Sequence, residues 1–125
     1  MRTGRTTRLL ALFCVVSLLG IAGLQAAPET WSHAALMDTQ CAAKFKDNPD
    51  KHDKKCALEC QKAGYGIYTQ DGTFLKLDQA GNQKAIDALK GTSQTDHLHV
   101  TVTGEKQGDT IKVASLKLDE PAPAK

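Results

Sequence analysis

Two periodicities divide this chain. Between Thr30 and Met37 the residues alternate, with Trp31, His33, Ala35 and Met37 on one side and Ala34 and Leu36 on the other, which predicts a first strand. The period then lengthens. Thr39 to Lys46 suits a short helix that Asn48-Pro49-Asp50 must interrupt, because proline lacks a backbone donor and biases the residue before it away from helix. A second helix is predicted from Asp50 or Lys51 to Lys62, with Asp50 as its N-cap and Gly64 on its C-terminal side. On that helix His52, Cys56, Cys60 and Ala63 recur at spacings of four, four and three, which stacks them on one face.

From Tyr65 the period returns to two. Tyr65, Ile67 and Thr69 alternate with Gly66 and Tyr68, Gln70-Asp71-Gly72 forms a hairpin turn, and Thr73 to Leu77 returns. Ala85, Ile86 and Leu89 make one apolar stripe on a helix of Asn82 to Lys90, which Gly91 ends. Leu98, Val100 and Val102 then alternate with polar residues, Gly104 to Asp109 turns, and Ile111, Val113 and Leu116 return as a hairpin with one buried face. The spacing slips at Ala114 and Ser115, as a bulge produces where a strand bends to close a small barrel.

The N-terminal segment has the three parts of an export signal. Arg2, Arg5 and Arg8 precede an apolar run from Leu9 to Leu24, and the small residues Ala26 and Ala27 follow. That run of 16 residues is short of the roughly 20 that span a bilayer, so residues 1–26 are expected to be cleaved, leaving no stable membrane span. Cys14 is then an apolar filler lost with the signal. Cleavage also removes every arginine. The mature chain holds 13 Lys against 14 Asp and Glu, a net charge near −1, so the formal +2 of the whole chain belongs to the signal. Without an arginine-rich face or an aromatic stacking platform, nucleic-acid binding is not expected. Residues 27–118 are expected to form one monomeric domain, periplasmic or secreted, with a disordered tail over 119–125.

The order Trp31, Asp38, Cys41, then Cys56-Ala57-Leu58-Glu59-Cys60 and Gly64, then the Asp71-Gly72 turn, and finally Val100 to Gly104 with Ile111 to Ser115 resembles a group of small secreted bacterial proteins of unknown function. Those proteins look like OB-type β-barrels with an N-terminal cysteine-bearing insertion. Their recurring pattern is an Asp and a Cys early on, a Cys-x-x-x-Cys pair before a glycine, and a closing hairpin. A glycine often follows the first cysteine in them, where this chain has Ala42. The resemblance implies an α+β fold, a small and mainly antiparallel OB-like barrel with one or two short helices. It implies a compartment but no reaction, since OB-type barrels carry many functions.

The reactive chemistry of the mature chain lies in Cys41, His52, Cys56 and Cys60. Export to an oxidising compartment favours a disulfide from Cys41 to Cys56 or Cys60, a structural staple in a non-enzymatic envelope domain. The same four residues also suit a tetrahedral Zn²⁺ or a thiolate-bound Cu(I), which would make the protein a metal-binding module. No other cofactor is implied. A thiol-redox role is the third reading, although Cys56 and Cys60 are one residue further apart than a Cys-x-x-Cys pair. No oxyanion loop, acid pair or phosphate loop accompanies them, so no enzyme is expected. His97 and His99 are expected on a solvent-facing strand surface, and His33 joins neither group.

Overall fold

The computed structural model describes residues 27–121. The expected signal over 1–26, with Cys14, and the tail residues 122–125 lie outside the described residues. Five strands close into a barrel: β1 Glu29–Asp38, β2 Tyr65–Tyr68, β3 Phe74–Leu77, β4 His99–Gln107 and β5 Thr110–Leu118. Around the barrel the order is β1, β2, β3, β5, β4, with every pairing antiparallel except β3 to β5. Three α-helices complete it: α1 Ala42–Phe45 and α2 Lys54–Glu59 in the β1–β2 connection, and α3 Gln79–Gly91 between β3 and β4. This is the α+β fold, a small and mainly antiparallel barrel with short helices, that the resemblance implies. Among the described residues no helix is long and apolar enough to cross a membrane.

β1 is the strand shared by both halves. Its first part pairs with β4, and Ala35 to Asp38 pair with β2. A register shift between Trp31 and Ala34 bends it, and His33 takes a left-handed backbone there, φ 51°. The expected alternation fails at its C-terminal end, where Ala34 to Asp38 are all buried, because the inserted connection covers what would otherwise be an outer face. Inside the barrel Ala34, Leu36, Ile67, Leu75, Val100, Val102, Ile111 and Val113 form one core, which Ala85 and Leu89 of α3 and Ala57 of α2 join.

Two expected boundaries move, each for a physical reason. α3 begins at Gln79 rather than Asn82, since the Asp78 side chain accepts the Gly81 amide at 2.9 Å and caps the helix. Gly81 then sits in the first turn because a Cβ there would lie 2.5 Å from a Val113 methyl carbon. The last hairpin turns at Gly108, φ 65°, so Gly104 belongs to β4 and not to the turn. The bulge does fall at Ala114: Thr103 pairs with Ser115 and Gly104 with Val113, which leaves Ala114 without a partner.

The largest correction concerns the helix expected from Asp50 or Lys51 to Lys62. It is three pieces: a 3₁₀ turn Pro49–Lys51, then α2, then a 3₁₀ turn Gln61–Ala63. Asp53, in extended conformation, caps α2 by accepting the Cys56 amide at 2.7 Å, so Asp53 rather than Asp50 starts the helix. His52 is therefore extended, φ −82° and ψ 114°, and does not share a helical stripe with Cys56 and Cys60.

Gly104 offers a test of this packing. A Cβ there would meet the Lys112 carbonyl oxygen at 2.3 Å, so Gly104→Ala is expected to lower unfolding free energy by about 2 kcal/mol, read by urea denaturation.

Candidate metal centre

Asp38 ends β1 and is fully buried. Its Oδ1 accepts the Cys41 amide at 2.9 Å, which turns the chain out of the strand and into α1. At the far end of the connection the Thr39 amide donates to the Gly64 carbonyl at 2.9 Å, and the Thr39 hydroxyl donates to the Ala63 carbonyl at 2.7 Å. The insertion from 39 to 64 is thus tied at its neck. It starts and finishes beside Asp38.

His52 is drawn back to the same point. Its Nε2 lies 2.6 Å from Asp38 Oδ2, with both side chains fully buried. A carboxylate accepts only, so Nε2 donates in this contact and Nδ1 is left to other partners. That Nδ1 is buried and has no hydrogen-bond partner. Phe45 of α1 packs edge-on against the imidazole, centroids 5.3 Å apart, and shields the pair from water. Two residues on from His52 the chain enters α2, whose N-terminal turn presents Cys56 toward Cys41. Their sulfurs are 3.9 Å apart and both are half-buried.

One donor atom each from Asp38, Cys41, His52 and Cys56 lies within 4.8 Å of the other three. Three of the four residues expected at a metal site are therefore gathered: Cys41, His52 and Cys56. Cys60, at the C-terminal end of α2, lies outside that group of four. It is still a neighbour, since burial and then the Asp38 and Cys56 charges push its thiol up. Asp38 takes the fourth place. In the sequence it stood only in the early Asp and Cys of the resemblance and was not read as a ligand, although its spacing of three before Cys41 suits a side chain that caps a turn.

All three thiols are unbonded in the structure. The disulfide expected from Cys41 to Cys56 or Cys60 is not formed, although the Cys41 and Cys56 sulfurs are only 3.9 Å apart. Burial pushes the Cys41 thiol up to about 12, with the Asp38 carboxylate and Cys56 adding to the effect. In the absence of a cation Cys41 therefore holds its proton. A divalent cation reverses that balance, because it stabilises the thiolate that burial and Asp38 disfavour.

Two outcomes follow for the metal-free protein. Asp38→Ala strands the His52 Nε2 proton and the Cys41 amide in a dry interior, and is expected to cost about 3 kcal/mol or more in urea denaturation. Cys41 and Tyr65 are both raised to about 12 from ordinary values of 9.0 and 10.0. The unfolded chain releases those protons first, so their contribution to stability is complete below pH 9 and is lost as pH rises toward 12. A urea midpoint that stays flat from pH 9 to 11 would contradict this. The chain matches no protein-family model, no curated protein and no solved structure, so its function is read from this geometry.

Proposed function

We propose that this protein is an exported, non-enzymatic metal-binding module, and that Zn²⁺ is held by Cys41, His52 and Cys56, with Asp38 orienting the histidine. The observation that carries the reading is the convergence of these four side chains at one buried point between the barrel and its insertion. The chemistry of the set favours zinc: two thiolates and one imidazole are ordinary zinc ligands, and a carboxylate is the usual partner of a zinc-bound imidazole. Cu(I) prefers sulfur alone, and the one additional thiol, Cys60, stands outside the group.

The spacing agrees. Two thiolates at about 2.3 Å from a tetrahedral zinc sit roughly 3.8 Å apart, against 3.9 Å between Cys41 and Cys56. A metal bound at Nδ1 of His52 would also supply the partner that this buried atom lacks. In that arrangement Asp38 would act through His52, orienting the ring through Nε2 as the carboxylate of a carboxylate–histidine–zinc site does. Binding releases both thiol protons, so affinity falls as pH falls. The structural payoff is clear. The insertion has few buried apolar residues of its own, Ala42 and Ala57 among them, and a metal would bond it to the end of β1.

A second reading rests on the same sulfur contact: oxidation of Cys41 with Cys56 would staple the insertion covalently. One experiment separates the two. The untagged protein, purified without reductant, is analysed for metal by elemental analysis and for free thiols by alkylation and mass spectrometry. The metal reading expects three alkylatable thiols and close to one zinc per chain. Cys56→Ser should abolish stoichiometric zinc, and Asp38→Asn should weaken it about 10- to 100-fold. One alkylatable thiol with no zinc sinks the metal reading and leaves the staple.

A further inference from the structure

The two sulfurs of the candidate centre are brought together without a metal. The Cys41 amide donates to Asp38 Oδ1 at 2.9 Å, and the Cys56 amide donates to Asp53 Oδ1 at 2.7 Å, so a carboxylate fixes the backbone at each cysteine. Their Sγ atoms stand 3.9 Å apart, and both residues are half-buried rather than sealed in the interior. A disulfide needs the sulfurs about 2 Å closer, at roughly 2.05 Å. Cys60 lies outside this donor group. Its helical neighbour is Cys56, whose carbonyl accepts the Cys60 amide at 3.1 Å, and cysteines four apart on one helix do not readily meet the disulfide dihedral.

We propose that oxidation of Cys41 with Cys56 is the device that empties the zinc site, which makes the protein a redox-controlled zinc donor. The proposal rests on the zinc reading above and joins the two alternatives given there as two states of one centre. The states exclude each other, because the sulfurs that bind the ion are the sulfurs that bond together. A disulfide sulfur is no longer a thiolate, and thiolate is the form that ligates. Only the His52 imidazole then remains as a donor, since Asp38 is already engaged by that ring and by the Cys41 amide. One neutral nitrogen does not retain an ion that three donors held.

The oxidant is a disulfide, R–S–S–R, carried by an exported protein or a small thiol compound, as the expected oxidising compartment supplies. One cysteine thiolate attacks a sulfur of that disulfide, which breaks its S–S bond and expels RS⁻. The second thiolate then attacks the mixed disulfide, forms the bond between Cys41 and Cys56, and expels a second RS⁻. Two electrons pass from the cysteine pair to the oxidant, which leaves as two thiolates. Zn²⁺ departs with its charge unchanged, because it has no redox chemistry. The new bond joins the same two points as the metal. The insertion therefore stays tied to the end of β1 in both states, through the Asp38 to His52 contact and the Thr39 bonds at its neck, and reduction restores a site ready to reload.

Glutathione disulfide is the probe. The untagged, zinc-loaded protein, reduced and then freed of reductant under argon, is treated with an excess of it while zinc release is followed with a chromogenic chelator and thiols are counted by alkylation and mass spectrometry. One zinc per chain should leave in step with the loss of two of the three thiols, and peptide mapping should join Cys41 to Cys56. Dithiothreitol should return three thiols and restore binding of one zinc. Cys60→Ser should release zinc in the same way, its thiols falling from two to none. Zinc that stays bound in excess disulfide, or that leaves while the thiols remain unoxidised, overturns the proposal. So does a bond between Cys60 and another cysteine of the chain, or zinc loss through mixed disulfides alone. Those outcomes leave the zinc reading standing, whereas a reduced protein that never holds zinc defeats that reading and this proposal together.

Discussion

The contact between Asp38 and His52 is the constraint on which the rest of the insertion depends. A buried carboxylate costs several kcal/mol unless it is paired and hydrogen-bonded, and Asp38 has no exposed surface through which water could help. Its two oxygens are satisfied by the two ends of a short excursion: the Cys41 amide three residues on, and His52 fourteen residues on. Once those bonds form, the path between them has little freedom. Phe45 must pack on the imidazole, and the chain must leave His52 extended before it re-enters helix at Lys54.

That path decides where the sulfur goes. Asp53 caps α2 and sets its first turn, so Cys56 faces back toward Cys41 instead of toward the barrel interior. The barrel meets the helix through Ala57, whose carbonyl accepts the Tyr65 hydroxyl at 2.7 Å. Adjacent residues of α2 thereby serve two purposes. Ala57 closes the apolar core, and Cys56 joins the polar cluster above it. The price of this arrangement is electrostatic: the Cys41 thiol beside a buried carboxylate resists ionisation, and a cation or an oxidation event relieves the conflict.

Much of the barrel was legible because its signals are local. Alternation over Val100 to Thr103, the Asp71-Gly72 turn, and the slip at Ala114 all follow from strand geometry within a few residues. The His52 to Cys60 stripe misled for an equally plain reason. Spacings of four are helical only if one helix runs through them, and the sequence holds two competing acidic caps, Asp50 and Asp53. Tertiary partners resolve that competition: His99 holds Asp50, and Asp38 holds His52. Cys41, His52 and Cys56 still meet, although through a turn and a cap and not along one helical face.

The sequence by itself determined the barrel strands, the bulge at Ala114, and which residue types carry chemistry, because periodicity, turn residues and thiols are written locally. Only the tertiary structure decided that Asp38 joins Cys41, His52 and Cys56 while Cys60 stays at the edge, and that His97 and His99 share Asp50. Those groupings depend on the barrel closing β1 against β2 and β4, which brings residues far apart in sequence to one end of a strand. No spacing along the chain encodes that closure.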